Sequence, residues 1–370
     1  MEFTVSRADL VRELNLSQGV VEKKTTIPIL SNVLLEADGS RIMLTATDLE
    51  LGIRCSCAAR VKKGGAGTVP ARRLLDYVRL LPDGDVQIKI QENHWANLVS
   101  GRSKTRIAGM SRESFPELPK MPAALAEIPL SVLASMISKT VFAISNEESR
   151  FTLNGALLVL KKGGLIMVAT DGHRLAMIES SADLPGVTGA YRALLPRKAM
   201  IELQKLAGDA DASTVVNFSG DENHLFFQVG ERLLLSRKLT GNFPDYERVL
   251  PKDQPLSVVL NREELKGAIE RVAQFSDERS RAIRLSASAG ELNVHSSVSE
   301  TGESEESIPV EYDGAATEIG FNAEYILDFL RAVSDEQVRF LFKDAHSAGE
   351  LRPAGEKPDN YRYVIMPMRI

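Results

Sequence analysis

One pattern occurs three times in this chain, and it constrains the fold more than any other feature. A helix-like stretch, an acidic or glycine-containing turn and an alternating strand run from Ala71 to Ile90, from Pro196 to Phe218 and from Asn322 to Phe342. The starts lie roughly 125 residues apart, too far for a solenoid repeat and suited to a whole domain. A length of 370 residues exceeds what one core usually supports. The reading is therefore one domain in three copies, 1–124, 125–252 and 253–370. Copies joined in line can curve into an arc, and two arcs can close into a ring.

Each copy also has a first half. Ser6 with Asp9 three residues on forms a capping-box-like start, followed by Leu10, Val11 and Leu14 on one face. In the second copy Val132, Leu133, Met136, Ile137 and Val141 keep helical spacing. In the third, Asn261 with Glu264 opens a helix whose stripe is Leu265, Ile269, Val272 and Phe275. Two helices per copy and six in the chain are expected, between short alternating strands joined at Asp38-Gly39, Lys63-Gly64-Gly65, Asp83-Gly84, Gly163-Gly164 and Ala289-Gly290. This is an α+β pattern. Proline-rich junctions, FPELPKMP from Phe115 and FPDYERVLPKDQP from Phe243, resemble one another and mark the boundaries.

Charge is distributed unevenly. The net charge of −5 divides as +4 in 1–124, 0 in 125–252 and −9 in 253–370. An acidic chain is not one that coats DNA by bulk charge, whereas opposite ends of opposite sign suit head-to-tail contact between copies. No apolar run reaches the roughly 20 residues that span a bilayer, and the acidic first residues do not read as a secretory leader. Cys55 and Cys57 share a strand face and have no second pair to complete a zinc site, so a reduced pair in a cytoplasmic protein is expected.

Catalytic and cofactor motifs are weak. The segment Lys62–Pro70 lacks the Gly-Lys-Ser/Thr ending of a phosphate loop, and Lys161–Gly172 is equally hairpin-like. The five histidines (94, 173, 224, 295 and 346) have no ligand spacing. Asp171-Gly172-His173-Arg174 could be imagined as an acid/base pair, but no nucleophile motif accompanies it and Asp-Gly is a turn former. No cofactor, metal or catalytic residue is expected.

Charged runs remain. Glu300, Glu303, Glu305 and Glu306 fall in seven residues of the acidic third copy. Arg102, Lys104 and Arg106 alternate in the first, on one face of a strand. Basic residues sit on the helices of every copy: Arg12, Arg72, Arg73, Arg79, Lys139, Lys198, Lys205, Lys266, Arg271 and Arg331. Lining one surface, they would meet phosphates without reading bases. An enzyme built on the Asp-Gly-His turn and a monomeric three-module binding protein are the rival readings. Turnover lost on changing His173 would mark the first, and a monomer on sizing the second.

The motifs FTVSRADL, TIPILSNVLLEA (Thr26–Ala37), TATDLELGI (Thr45–Ile53), TVPARRLLD (Thr68–Asp76), FTLNGALL (Phe151–Leu158), ATDGHRLA (Ala169–Ala176), LPRKAMIEL (Leu195–Leu203), NFPDYERVLP (Asn242–Pro251), EIGFNAEYILDFL (Glu318–Leu330) and YVIMPMRI (Tyr363–Ile370) occur in order over essentially the whole chain. In these the chain resembles the bacterial DNA polymerase III β subunit (sliding-clamp) family. The resemblance implies a head-to-tail homodimeric ring of six similar domains, helices inside and sheets outside, that encircles duplex DNA and has no active site of its own. The replicative polymerase α subunit, the clamp-loader δ subunit and other proteins with a clamp-binding motif would dock in an apolar pocket. By matching positions that pocket is formed by Leu153, Thr170, Gly172, His173, Arg174, Leu175, Pro244, Arg248, Val249, Asn322, Tyr325, Val364, Met366, Pro367, Met368 and Arg369.

DNA-side positions are Lys24, Arg72, Arg150, Phe151 and Lys198. Closure would set Arg73, Arg102 and Lys104 near Glu300, Glu303, Glu305 and Glu306 of a partner, with Phe275 giving the apolar contact. Three residues depart from the family pattern: Glu147 where a neutral polar residue is usual, Ser280 where some relatives have an aromatic, and His346 where an aliphatic is common.

Overall fold

The structure is a computed structural model, and it describes all residues except 22–25, 148, 185, 209, 210, 212, 299–301, 356–358 and 370. Among the described residues six α-helices occur: α1 (Arg7–Ser17), α2 (Ala71–Leu80), α3 (Leu130–Ser138), α4 (Arg197–Gly208), α5 (Arg262–Val272) and α6 (Ala323–Ala332). Every repeat runs in the same order: one strand, a helix, four strands, a helix, three strands. The first repeat's strands are Glu2–Ser6, Asn32–Asp38, Arg41–Thr47, Leu51–Lys63, Gly65–Pro70, Asp85–Ile90, Trp95–Ser100 and Ser103–Ala108. All ladders are antiparallel, as expected when consecutive strands are joined by tight turns.

Helix starts follow local chemistry. Asn261 accepts the backbone N–H groups of Glu263 and Glu264 at the head of α5, and Asn322 accepts that of Glu324 at the head of α6. Ser6 occupies the corresponding place before α1 but makes no side-chain cap, correcting the capping-box expectation; the Arg7 N–H instead donates to the Gly84 carbonyl at 2.9 Å. Two stripes were also read too long. Val141 and Phe275 lie in separate 3-10 turns, Val141–Ala143 and Ala273–Phe275, after their helices have ended.

Within each repeat the second to fifth strands form one four-stranded set, in the order fifth, second, third, fourth. The first and the last three form another, in the order eighth, seventh, sixth, first. The fourth strand of one repeat then pairs with the eighth strand of the next. Leu51–Arg54 pairs with Leu233–Ser236 at the first junction, and Arg174–Glu179 pairs with Asn360–Ile365 at the second. Continuity across these junctions splits the middle repeat between two compact units, one of residues 1–134 and 198–238, the other of 135–197 and 239–370.

The first unit holds a core of Phe3, Leu10, Leu14, Leu35, Ile42, Leu74, Val78 and Ile88, joined by both cysteines. Cys55 and Cys57 are free thiols on one face of Leu51–Lys63, and burial pushes the Cys57 thiol up to about 12. They are unreactive packing residues. At the first junction Glu13 of α1, only 2% exposed, accepts Arg232 Nε at 3.0 Å, Arg232 Nη2 at 2.8 Å and Arg12 Nε at 2.8 Å. Burial opposes its charge, but the two guanidinium groups outweigh it and hold the carboxyl below its ordinary value of 4.5.

The sign of the linkage follows. The pair's contribution is complete above the unfolded value and is lost as pH falls through the lower, folded one. Urea unfolding of the protein between about pH 5.5 and 3 should therefore show an acid-side loss of stability that is reduced in Glu13→Gln. That variant should itself be weaker at pH 7 by about 3–5 kcal/mol, the cost of leaving a buried guanidinium unpaired.

Candidate functional site

The second junction carries most of the pocket residues named from the sequence. Its turn, Thr170 to Arg174, is built by local hydrogen bonds. Asp171 Oδ1 accepts the N–H of His173 at 2.9 Å and of Arg174 at 3.0 Å, and Thr170 Oγ1 accepts the N–H of Gly172 at 3.1 Å. Gly172 sits at φ 90, in the left-handed region that suits glycine. A turn thus fixed leaves the His173 side chain exposed and its carbonyl free to accept the Met366 N–H at 2.9 Å.

Arg174 behaves otherwise than a pocket wall. Its side chain is 10% exposed, and its fork is consumed within the protein. Nε donates to Asp171 Oδ2 at 3.0 Å, Nη1 to Asp328 Oδ2 at 2.6 Å, and Nη2 to the Phe142 carbonyl at 2.7 Å. The guanidinium lies 4.4 Å from the centre of the Tyr325 ring. Burial works against its charge, but Tyr363, Asp328 and Asp171 outweigh that, so it is held more firmly protonated than usual. Asn322 is likewise committed, capping α6 and donating Nδ2–H to the Ser280 carbonyl. Among these residues, Asp328, Phe142 and Tyr363 were missed by sequence reasoning. The only signal was that Asp328 follows Tyr325 by three positions on the same helix face.

Beside the turn, Leu175 pairs with Val364. Both are nearly sealed, at 2% and 1% exposure, whereas Val249 and Met366 are 42% and 46% exposed. Pro244 and Arg248 are exposed and Leu153 is half-buried. The strand Asn360–Ile365 ends before Pro367, as the missing donor requires. The tail then divides. Met366 stays with His173, while Met368 donates its N–H to the Gly320 carbonyl at 2.8 Å. Pro367, Met368 and Arg369 line a cavity of about 570 Å³ with Arg284, Glu318 and His346. Ser280 lies in the neighbouring cavity of about 260 Å³, also bordered by Met368 and Arg369.

Equivalent positions in the three repeats explain which face is unusual. In the middle repeat Leu157, Val159, Ile166, Val168, Leu175 and Met177 share one sheet face by their register, and residues from Leu239 to Leu250 pack over it with Tyr246 buried. The same places hold Leu34, Glu36, Met43, Thr45, Gly52 and Arg54 in the first repeat. In the third they hold Arg284, Ser286, Asn293, His295, Glu303 and Glu305. Only the middle set is wholly apolar.

The other expected residues fall at sheet edges and on helices. Ser103–Ala108, an eighth strand, and Gly302–Pro309, a fourth strand, end their sheets. Lys104 and Arg106 are exposed on one face of the first, and Glu303 and Glu305 on one face of the second. Arg102 lies in the preceding turn, not on the strand, and Arg73 is exposed on α2. Glu306 is corrected: it alternates to the opposite face and binds Arg271 of its own chain, Nη2 to Oε2 2.6 Å, which holds its carboxyl low. Phe275, 36% exposed, sits beside Gly302. Glu300 and Lys24 lie outside the described residues.

Of the expected DNA-facing residues, Phe151 is 70% exposed and Arg72 lies 3.9 Å from Asp76. Arg150 is partly committed, to Glu147 at 2.8 Å and to the Asp171 carbonyl at 2.9 Å, and the Lys198 ammonium is held by Asp48. Among the described residues no helix is long and apolar enough to cross a membrane.

The comparisons with known proteins agree along the whole chain. Models of the DNA polymerase III beta subunit match residues 1–119 as its N-terminal domain, 127–245 as its central domain and 247–369 as its C-terminal domain. The beta sliding clamp of Pseudomonas putida is 38% identical over 377 residues, covering 100% of each chain. A crystal structure of the Pseudomonas aeruginosa sliding clamp bound to griselimycin superposes with a TM-score of 0.94 at 38% identity, covering 100% of each chain. The Bacillus subtilis clamp does so at 0.94 with 27% identity, covering 100% of this chain and 99% of that one. Three tandem domains of helix and antiparallel sheet, matched end to end, place the chain in the DNA polymerase III β-subunit family, the bacterial sliding clamps, as a non-catalytic processivity factor of the replicative polymerase.

Proposed function

We propose that partner peptides dock at the corner formed by Leu175, Val364, Val249, Met366 and the His173 turn. The observation that carries this reading is the set of six apolar residues on one sheet face of the middle repeat, where the first repeat mixes apolar with polar residues and the third places only polar or charged ones. Exposed Val249 and Met366 flank the sealed pair Leu175 and Val364. A docking side chain therefore displaces mobile thioether and small apolar groups and reaches an apolar floor. Two or three buried side chains at about 1.5–3 kcal/mol each, less ordering costs, suggest roughly micromolar affinity, near −8 kcal/mol. Such affinity lets polymerase, clamp loader and repair proteins exchange on one ring.

Domain limits near 124 and 252 and a cytoplasmic location belong to the same reading, as does a head-to-tail ring whose basic helix residues face phosphates without base selectivity. Ending the chain after Ile365 should weaken binding of a polymerase-derived peptide at least tenfold by calorimetry, with the dimer intact on sedimentation. Unchanged peptide affinity in that variant would place the site elsewhere.

A further inference from the structure

The first junction repeats the second bond for bond. Asp48 Oδ1 accepts the N–H of Glu50 at 2.9 Å and of Leu51 at 2.6 Å, as Asp171 does for His173 and Arg174. Thr47 Oγ1 accepts the Leu49 N–H at 3.0 Å and donates to the Leu51 carbonyl at 2.9 Å, as Thr170 does for Gly172 and Arg174. The Arg237 N–H donates to the Glu50 carbonyl at 2.8 Å, where Met366 donates to His173 at 2.9 Å. Gly52 pairs with Leu235 as Leu175 pairs with Val364. Covering segments leave in the same way, through Met110 N–H to Thr68 and Leu239 N–H to Leu194.

Side chains make a variant of the same corner. The space a side chain would take at Gly52 is filled by Leu118 and Leu235, each 3.1 Å from where its Cβ would stand. The floor is thus apolar again, with Leu118 supplied by the Phe-Pro-Glu-Leu segment that matches Phe-Pro-Asp-Tyr at 243–246. Counting on along both segments sets half-buried Met121 against Val249 and exposed Lys120 against Arg248 in sequence, although the first segment lacks the 3-10 turn that Tyr246–Arg248 forms in the second.

Leu49 supplies an independent observation. It stands at φ 77, where the second junction has Gly172, and the residue is 51% exposed. A leucine there carries backbone strain and still projects apolar surface into water. Neither local folding nor packing explains that choice over glycine.

We infer that the first junction is a second peptide-docking corner, with Leu49 as its recognition side chain and Leu118, Leu235 and Met121 as its apolar lining. The inference rests on the docking reading of the second junction. Its occupant is an extended peptide segment of a partner, with apolar anchors and a flanking acidic residue. The acid is called for by Lys120, which is exposed and has no carboxylate partner among the described residues, whereas the junction's exposed Arg237 is already paired with Glu50 at 3.1 Å. With Gly52 in place of Leu175 and an ion pair in place of Met366 and His173, this corner is the weaker of the two.

The test is a methyl-NMR titration of the full-length protein, labelled at Leu and Met, with a polymerase-derived peptide, in three forms: unchanged, ended after Ile365, and Leu49→Gly. Shifts at Met366 and Leu175 report the second junction, and those at Leu49, Met121 and Leu235 report the first. Expected are first-junction shifts at peptide concentrations at least tenfold higher, retained when the chain ends after Ile365. They should be lost in Leu49→Gly, which relieves the left-handed strain and so keeps the melting temperature equal or higher. Absent first-junction shifts at saturation, or shifts unchanged in Leu49→Gly, overturn the inference. Failure of the second-junction reading shows separately, as Met366 and Leu175 methyls that do not respond.

Discussion

Arg174→Ala is expected to destabilise the unit of residues 135–197 and 239–370 by about 3–5 kcal/mol, the cost of removing one partner from a buried charge network. The loss does not come from one bond. Asp328 and Asp171 are left as partly buried carboxylates, the Phe142 carbonyl loses its donor, and the Tyr325 ring loses the cation above it. Arg174→Lys should recover only part of this, because an ammonium cannot serve three diverging acceptors from one plane. Urea unfolding followed by circular dichroism, with peptide binding measured well below the transition, separates the structural role from a docking role. If Arg174→Lys keeps native stability yet loses the peptide, Arg174 acts on the ligand directly and its structural assignment is wrong.

Reversing charge at the basic edge is the second large effect. Lys104→Glu with Arg106→Glu should weaken the dimer on the order of 10- to 100-fold, and Glu303→Lys with Glu305→Lys should restore a good part of it. A single exposed ion pair contributes only about 0–1 kcal/mol. Reversal, however, replaces attraction by repulsion at two adjacent places on strands proposed to meet as a ladder. Arg106 also lies 4.7 Å from the Trp95 ring centre, so Lys104→Glu alone is the cleaner control. Sedimentation at low and high salt reads both the coupling and its screening. Additive effects of the two sets would mean these edges do not meet.

The repeat, its six helices and the α+β class were legible because they rest on periodicity and turn dipeptides, which are local. The junction rule was not. Nothing in the residues Arg232–Arg237 says that they continue a strand of the preceding repeat at Leu51–Arg54. Pairing over such separations is decided by which apolar faces remain uncovered. The same limit governs the site. Resemblance located Arg174, but its partners Phe142, Asp328 and Tyr363 come from three distant segments, so its buried role could not be read from ATDGHRLA. Glu306 was misread for a simpler reason: a run of glutamates on a strand alternates between two faces, and only one of them looks outward.

The shared junction geometry has a consequence for how a closed dimer holds together. Two of the three contacts a chain needs are covalently backed, and the third must be made with another copy, twice per ring. Once one such pair of edges has met, the other pair is confined to the same particle. Its re-formation is then first-order, governed by an effective concentration of millimolar order instead of the cell's supply of free chains. Either seam can part and reseal many times before the ring falls into halves, so the lifetime of the dimer is set by simultaneous failure of both seams, even when each one is individually weak, whereas escape from DNA needs only one seam open long enough for the duplex to pass.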